Sequence, residues 1–237
     1  MKYIIEFSKK GTICYISHLD IMKVFRRAFK KTGIDLAYSQ GFNPHPKMGF
    51  GQPLSLGYRG LEEYVEFETA ESQDPAACAG DTAADPEAML GMLRSVMPEG
   101  LELLRIMEAP WLKKTLAAEN IAAEYMIGIP QVNGEGSDFR GRFMAQDAIL
   151  VLKKQKKKPE PVLIDIKSKI RKLDIRSMDD SICIHCLLDS GSESNLSPEL
   201  LIAAFVEFFG LETPRSDMNV TRRKLLFKDA TETRLHG

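Results

Sequence analysis

The stretch that decides the fold is residues 2–33, KYIIEFSKKGTICYISHLDIMKVFRRAFKKTG. Apolar residues alternate along its first part, which predicts a strand with one apolar face over residues 2–8. Ser17 then stands as a helix N-cap, and Asp20 follows three residues later as the acid of a capping box. Apolar side chains recur at helical spacing until Gly33, which predicts an amphipathic helix that ends there. The apolar stripe of this helix comprises Ile21, Met22, Phe25, Ala28 and Phe29.

Outward from this stretch, residues 1–110 follow a β-α-β-β-α-β order. A loop rich in Ala, Asp, Ser and Pro separates the middle strands from a second helix, which begins at Asp85-Pro86. The remaining predicted strands are residues 47–56, 62–68 and 101–107. This order is that of the split-βαβ, or ferredoxin-like, arrangement.

The second half of the chain repeats the order after a predicted connecting helix over residues 111–122. Strands are predicted at 124–129, 149–154, 162–170, 181–188 and 220–227, and helices at 139–147 and from Ser197-Pro198 onward. Residues 229–237 are expected to be a frayed tail. We therefore predict an α+β protein of two tandem ferredoxin-like units, 1–110 and 111–237. Their sheets would be mostly antiparallel, with helices on one face.

The composition favours a globular protein of the cytoplasm. Of the 237 residues, 44% are apolar and 27% are charged, which supplies a core and argues against global disorder. The sequence contains no run of about 18 apolar residues, which predicts that nothing spans a membrane. The apolar stretch near the N-terminus is too short for a signal peptide, so the four cysteines are expected to be free thiols.

The net charge of −1 hides a strong segregation of charge. Residues 1–60 carry a net +7, residues 61–110 a net −10 and residues 153–176 a net +7. The total excludes an indiscriminate polycation, but it allows two local basic surfaces, one in each predicted unit. A local basic surface is the electrostatic footprint of a protein that binds a phosphate backbone.

The first basic surface combines the first helix with the loop that follows it. Four candidate phosphate ligands lie on the helix, Arg26, Arg27, Lys30 and Lys31, although a solvated charged face is the simpler interpretation. Eight of residues 41–60 are Gly or Pro, and two prolines stiffen the stretch NPHPK. A stiff loop loses little entropy on binding, so its polar side chains are candidates for a pocket. These are Asn43, His45 and Lys47. The alternative is a connection that Gly and Pro merely shape.

Two histidines, His18 and His45, are candidates for acid–base chemistry. His18 directly follows the N-cap, where the helix dipole disfavours a protonated imidazole. A neutral imidazole there can accept a proton from a ligand or donate a hydrogen bond to it. An ordinary first-turn histidine is the alternative, and the sequence shows no clear second catalytic group.

The second basic surface begins in the lysine-rich segment 153–158, which is predicted to be a hairpin tip. Cations at alternate positions from 167 to 171 would share one face of the next strand. The candidate phosphate contacts are Lys156, Lys157, Lys167, Lys169 and Arg176. A plain charged loop is the alternative for the tip, and the scarcity of aromatic residues argues against base stacking of the RRM type.

The segment Cys183-Ile-His-Cys186 contains a Cys-x-x-Cys pair, but it lacks the second pair of ligands that a structural zinc site needs. On a strand, Cys183 and His185 share one face and Cys186 faces the other. We therefore expect no metal here. The sequence also lacks a P-loop, a GxGxxG motif, an HExxH motif and a GxSxG motif, so no cofactor is expected.

Several short motifs occur together: SHLD (17–20), RRA (26–28), SQGFNPHPK (39–47), PLSLG (53–57), LDIRS (173–177) and SNLSPELL (194–201). In combination they resemble the bacterial radical-SAM-linked (radical-SAM-associated) protein family, a domain of unknown function. Members are often joined to a radical-SAM protein, whereas this sequence has no Cys-x3-Cys-x2-Cys run for the iron–sulfur cluster. The resemblance therefore implies an accessory role beside a separate radical-SAM enzyme, and gene neighbourhoods in the family imply RNA.

Three functions stay open at this point. The first is an accessory protein that binds tRNA or rRNA for a separate radical-SAM enzyme and has no chemistry of its own. The second is a metal-independent ribonuclease or RNA-modifying enzyme that uses His18 or His45. The third is a protein–protein adaptor that docks through its acidic segment, residues 62–102.

Overall fold

The chain has a mixed α+β fold. The structure is a computed structural model that describes residues 1–70, 85–130, 138–155, 160–178 and 180–236. Its strands are β1 Lys2–Lys9, β2 Met48–Phe50, β3 Arg59–Glu68, β4 Leu101–Glu108, β5 Asn120–Pro130, β6 Leu150–Lys153, β7 Val162–Asp165, β8 Ile170–Met178, β9 Ser181–Asp189 and β10 Asn219–Phe227. Its helices are α1 His18–Thr32, α2 Pro86–Arg94, α3 Leu116–Glu119, α4 Phe139–Met144, α5 Pro198–Phe209 and α6 Asp229–His236. The predicted α+β class with mostly antiparallel pairing is confirmed.

The chain divides into two compact units. Unit 1 comprises Met1–Asn120 and Phe227–Gly237, and unit 2 comprises Ile121–Leu226. In unit 1 the strand order is β4-β1-β3-β2, and each of these pairs is antiparallel. Helices α1 and α2 contribute to one apolar core with alternate residues of β1 and β3.

The predicted helix from His18 to Thr32 is confirmed, together with both of its caps. The Ser17 hydroxyl oxygen accepts a hydrogen bond from the Asp20 N–H at 3.2 Å, and Gly33 ends the helix with φ +73°. Phe25 and Phe29 of the predicted stripe are almost fully buried. Their rings lie 5.2 Å from Phe7 and 4.6 Å from Phe67, on two neighbouring strands.

The outer strand of unit 1, β4, has an irregularity in its pairing with β1. The register shifts between Glu6 and Phe7, so that Leu104 has no partner in the ladder. The Arg94 guanidinium at the end of α2 donates hydrogen bonds to the carbonyls of Leu103 and Leu104 at 2.8 and 2.7 Å. Two backbone acceptors of the outer strand are therefore satisfied by a side chain.

In unit 2 the strand order is β10-β5-β9-β8. Buried and half-buried residues alternate along β9, so one face of this sheet belongs to the core and the other is partly open. The core includes an aromatic cluster from α4 and α5, made by Phe139, Phe143, Phe205 and Phe209. Strands β6 and β7 form a separate two-stranded hairpin.

The prediction of one strand over residues 162–170 is wrong. Strand β7 ends at Asp165, and a 3-10 turn over Lys167–Lys169 precedes β8. The Asp165 carboxylate accepts hydrogen bonds from the N–H groups of Ile149 and Lys167, both at 2.9 Å. These bonds and the burial of Ile166 stop the strand, so Lys167 and Lys169 do not share a strand face with Arg171.

The frayed tail and the long connecting helix are also wrong predictions. Residues Asp229–His236 form α6, which buries Thr231 and Leu235 and whose Glu232 carboxylate accepts a hydrogen bond from the Phe227 N–H at 2.8 Å. In place of a helix over 111–122, only the single turn α3 forms, and β5 starts at Asn120. The described residues contain no helix that is long and apolar enough to cross a membrane.

The turn at Asp165 makes a pH-dependent contribution to stability. Its two backbone hydrogen bonds hold the pKa of the Asp165 carboxyl below its usual value. The ionised carboxylate therefore stabilises the fold above the usual pKa of about 3.9, and this contribution is lost as the pH falls through the lowered folded value. We expect Asp165→Asn to reduce the free energy of unfolding at pH 7, with a smaller reduction at pH 3.

Urea unfolding at the two pH values measures the effect. Asp147→Asn serves as the control, because Asp147 is exposed and makes no ion pair with a described residue. An equal loss for Asp165→Asn at pH 7 and pH 3 would contradict the assignment.

Candidate functional site

The cations of α1 form a single stripe on its outer face. Residues 23, 26, 27, 30 and 31 follow the i, i+3, i+4, i+7, i+8 spacing, opposite to the buried residues of the helix. The stripe spans about 12 Å at the usual helical rise. Its five members, Lys23, Arg26, Arg27, Lys30 and Lys31, are all exposed. The helix therefore presents a continuous basic surface to solvent.

Four of these five cations make no ion pair in the described part of the chain. Lys23 is the exception, because its ammonium lies 3.0 Å from the Asp20 carboxylate. Hydrogen bonds from Ser17 and Lys23 hold the pKa of Asp20 below its usual range. Arg26, Arg27, Lys30 and Lys31 are left with charges that no described carboxylate neutralises, so this surface is available to an anionic ligand.

The loop after α1 is held by its own backbone. The Ser39 N–H donates to the His45 carbonyl at 2.9 Å, and the His45 N–H donates to the Ser39 hydroxyl oxygen at 3.0 Å. The Lys47 N–H donates to the Ala37 carbonyl at 2.7 Å. These bonds close the loop at its base, while residues 40–45 at its tip are exposed.

The tip presents aromatic side chains that the sequence analysis missed. Phe42 is fully exposed and Tyr38 is 55% exposed, close in the chain to the exposed Asn43 and His45. The His45 imidazole makes no hydrogen bond with a described residue, and no contact of the described residues joins Asn43 or His45 to the α1 cations. The presence of an aromatic residue, Phe42, in a Gly- and Pro-rich loop was the sequence signal that could have predicted this exposed ring.

Lys47 differs from Asn43 and His45, the other predicted ligands of its loop, because its charge is already paired. Its ammonium lies 2.6 Å from the Glu68 carboxylate. The two residues line a groove of about 290 Å³ together with a second pair, Lys2 and Glu66, whose charged atoms are 2.9 Å apart. Since each ammonium faces a carboxylate, Lys47 is better explained by this local pairing than by ligand contact.

His18 lies at the start of α1 beside a small cavity of about 20 Å³. The cavity is also lined by Lys9, Gln52 and Glu63, and both Lys9 and Glu63 are at least 97% buried. The Lys9 ammonium donates to the carbonyls of Cys14 and Ile16, each at 3.2 Å. A cavity of this size holds about one water molecule, so the cluster has polar groups but no room for a nucleotide.

The described cations of the predicted basic track of unit 2 do not share one strand face. Lys156 and Lys157 lie outside the described residues. The Lys167 ammonium bonds to the Gln146 carbonyl at 2.5 Å, and the Arg176 guanidinium lies 3.3 Å from the Asp174 carboxylate. Lys169 belongs to the 3-10 turn rather than to a strand.

The Cys183–Cys186 segment occupies β9 as the sequence predicts. Cys183 and His185 lie on its half-buried face, and Cys186 points into the core. Within the described ranges, no group of three His, Cys, Asp or Glu side chains has the geometry to hold a metal ion.

His185 belongs to a charged network that sequence reasoning missed. Its Nε2 atom is hydrogen-bonded to the Glu124 carboxylate on β5, and the Arg223 guanidinium of unit 2 lies 3.4 Å from the same oxygen. These three residues come from β9, β5 and β10. Only the register of the sheet brings them together, and a single sequence does not show register.

Comparison with known proteins gives a family and a similar fold. A family model described as an uncharacterized protein conserved in bacteria, DUF2344, matches residues 2–198. The chain belongs to this family. That confirms the resemblance to a bacterial domain of unknown function, while the link of this family to radical-SAM enzymes stays a prediction. No curated protein matches the chain.

Among solved structures, the chain is similar to one in the crystal structure of a Cbf5-Nop10-Gar1 complex. The TM-score is 0.52 at 10% identity, and the match covers 97% of this chain and 51% of the other. The chain thus spans about half the length of that neighbour, and the similarity concerns the fold alone. An unknown protein from Galdieria sulphuraria matches with a TM-score of 0.24 at 9% identity, over 95% of this chain and 98% of that one.

The described cysteines of this DUF2344 protein should differ in reactivity. Burial, and next to it the charge of Glu124, raises the pKa of Cys186 to about 12, and burial also raises the pKa of Cys14. Cys183 is half-exposed. Because the thiolate is the reactive form, we expect iodoacetamide at pH 8 to alkylate Cys183 before Cys14 and Cys186 in the native protein.

Peptide mass spectrometry after timed quenching measures the order, with urea-unfolded protein as the control in which all sites react. Labelling of Cys186 as fast as that of Cys183 in native protein would contradict the assignment.

Proposed function

We propose that this protein binds RNA through the basic stripe of α1 and acts as an accessory to a separate radical-SAM enzyme in the cytoplasm. One observation carries the RNA part: four exposed cations on one helix face have no ion-pairing partner among the described residues. A phosphate backbone that binds such a surface releases its counterions, which supplies binding free energy without sequence preference.

The stripe matches a nucleic-acid strand in length and charge. Its span of about 12 Å corresponds to about three phosphates at the per-strand spacing of a duplex. The exposed rings of Phe42 and Tyr38 lie in the loop that follows α1, and every nucleobase has a face that stacks on an aromatic ring. This combination of cations and exposed rings suits single-stranded RNA or a loop of a folded RNA such as tRNA or rRNA.

We also infer that each unit is a variant of the ferredoxin-like fold. In support, both sheets repeat one pattern, in which the strands of the β-α-β-β-α-β order stand fourth, first, third and second. In unit 2 this pattern requires the hairpin β6–β7 to be an insertion before β8. The same plan in both units is consistent with an internal duplication of architecture.

Charge reversal on α1 tests the RNA part of the proposal. We expect the double variant Arg27→Glu/Lys30→Glu to weaken binding of a fluorescent single-stranded RNA about tenfold or more. It should also reduce the slope of log K against log[salt] by about 0.7 for each lost phosphate contact. Fluorescence anisotropy between 50 and 300 mM KCl, with protein concentrations that range from below to above the Kd, measures both the affinity and the salt slope.

The matched control is Lys113→Glu/Lys114→Glu, which changes the net charge equally at two exposed lysines outside the stripe. This control should keep most of the wild-type affinity. Equal losses in the two double variants would show that only total charge matters, and wild-type affinity that ignores salt would contradict phosphate binding.

Metal-independent cleavage of RNA is the second candidate. It would use the three ionisable side chains that line the cavity at His18, and it would require this cavity, which holds about one water molecule, to open for a nucleotide. The same RNA, run on a denaturing gel after incubation with EDTA, distinguishes the two functions. Intact RNA supports binding alone. Turnover that disappears in His18→Ala would replace the accessory role by catalysis.

The partner part of the proposal rests on the family resemblance. The test uses a purified radical-SAM enzyme from the same bacterium, selected because its substrate is an RNA. We expect this enzyme to bind its RNA more tightly when the present protein is added. Gel-shift titrations of the enzyme with and without the protein measure the difference. An identical affinity in both titrations, with the RNA bound by this protein alone, would limit the function to RNA binding.

A further inference from the structure

The open face of the unit 2 sheet carries a groove of about 310 Å³ that the α1 surface does not use. It runs over β5, β8, β9 and β10 and is lined by both apolar and polar side chains. Those that matter for a ligand are Met126, Met178, Cys183, Asp217, Asn219 and Thr221. A volume near 300 Å³ lies at the lower end of ligand pockets and suits a single planar ring system.

An amide group lies on the floor of this groove. The Asn219 side chain lies over Gly128 so closely that a Cβ atom at position 128 would approach its Nδ2 and Oδ1 atoms to 2.8 and 3.0 Å. The glycine thus makes room for the amide. Asn219 is exposed, and its amide makes no hydrogen bond with a described residue. Both its donor and its acceptor therefore stay available to a ligand in the groove.

Two methionines provide the apolar part of the groove. Met126 is 39% exposed and Met178 is 60% exposed, and both line the groove. Methionine is flexible and polarizable, and its sulfur makes favourable contacts with aromatic rings. An unstacked nucleobase inserted here would gain apolar contact on its face and hydrogen bonds at its edge.

Cations flank the groove on the same sheet face. Arg176 on β8 is the cross-strand neighbour of Cys183, and its side chain is 81% exposed. Arg223 on β10 lies beside Glu124 and His185, at the other end of the face. Each arginine is paired with a carboxylate, Arg176 with Asp174 and Arg223 with Glu124, so a phosphate beside the bound nucleotide would have to replace that carboxylate.

We propose that this groove binds one unstacked base of a single-stranded RNA and selects it through the Asn219 amide. This inference rests on the proposed RNA binding and adds base selection to it. Asparagine can bond two atoms of adenine at once, and a good bidentate pair discriminates against the wrong base by about 5- to 150-fold. Cytosine and uracil offer a donor beside an acceptor on the Watson–Crick edge only, whereas adenine offers such a pair on both its Watson–Crick and its Hoogsteen edge. Adenine is therefore the base expected.

The test compares affinities for oligoadenylate, oligocytidylate and oligouridylate of equal length, measured by fluorescence anisotropy. We expect the wild type to prefer oligoadenylate by about fivefold or more. The variants Asn219→Ala and Gly128→Ala should reduce this preference to nearly none while keeping the salt dependence of binding. Gly128→Ala is informative because it keeps the asparagine and only displaces its amide.

Gly91→Ala is the matched control, since a Cβ atom at position 91 meets no neighbour within 4 Å. Thermal melting followed by circular dichroism confirms that each variant folds. Arg27→Glu/Lys30→Glu should weaken binding of all three oligonucleotides equally and preserve their ranking. Base contacts and phosphate contacts are thereby separated.

Each outcome decides between the two proposals. A wild type that binds all three oligonucleotides equally, or variants that keep its preference, would overturn the base pocket and leave RNA binding intact. A wild type that binds no oligonucleotide would overturn both. Titration with adenosine monophosphate distinguishes the source of the base, because free nucleotide that binds as tightly as oligoadenylate would contradict recognition within a strand.

Discussion

The packing of α1 on β1 and β3 is the contact on which the candidate surface of unit 1 depends. Phe25 and Phe29 bury their rings against Phe7 and Phe67 of two adjacent strands. Truncation of a buried phenylalanine costs about 3–5 kcal/mol, which is a large part of the stability of a typical domain. Because the apolar stripe is fixed in the core, the opposite face of the helix is fixed toward solvent. Arg26, Arg27, Lys30 and Lys31 therefore stay on one exposed face without an ion pair to a described residue.

Ion pairing, rather than the number of cations, distinguishes the α1 stripe from the other candidate phosphate ligands. Lys47 and Arg176 each face a carboxylate, and Lys167 is bound to a backbone carbonyl. Exposed ion pairs of this kind contribute little stability, but they lower the charge that a ligand would meet. Four of the five cations of the α1 stripe lack such partners among the described residues, so the stripe keeps a positive field that the net charge of −1 does not reveal.

Local signals in the sequence predicted local structure well. Ser17 and Gly33 act within a few residues of themselves, and the helix between them begins and ends as predicted. The 3-10 turn at Lys167 depends instead on the Asp165 carboxylate, which accepts a hydrogen bond from the N–H of Ile149, sixteen residues away. A pattern of alternating cations does not predict that hydrogen bond, so the strand prediction for residues 162–170 was wrong.

At the candidate site, too, the sequence predicted local features but not contacts between residues that are far apart in the chain. The common face of the α1 cations could be predicted because helical spacing alone defines it. The pairing of Lys47 with Glu68, and the meeting of Glu124, His185 and Arg223, required the register of separate strands. The last helix, α6, was missed because it contacts residues that are remote in the sequence, such as Trp111, whose ring lies 5.5 Å from the Arg234 guanidinium.

The guanidinium of Arg94 affects whether another protein chain can pair with the edge strand β4. An outer strand normally offers its unpaired backbone groups to any extended chain that arrives. On β4, Arg94 already occupies the carbonyls of Leu103 and Leu104, next to the irregular pairing at Leu104. A foreign strand that added here would have to displace both bonds and straighten the irregularity. One arginine thus makes this part of β4 a poorer template for an added strand.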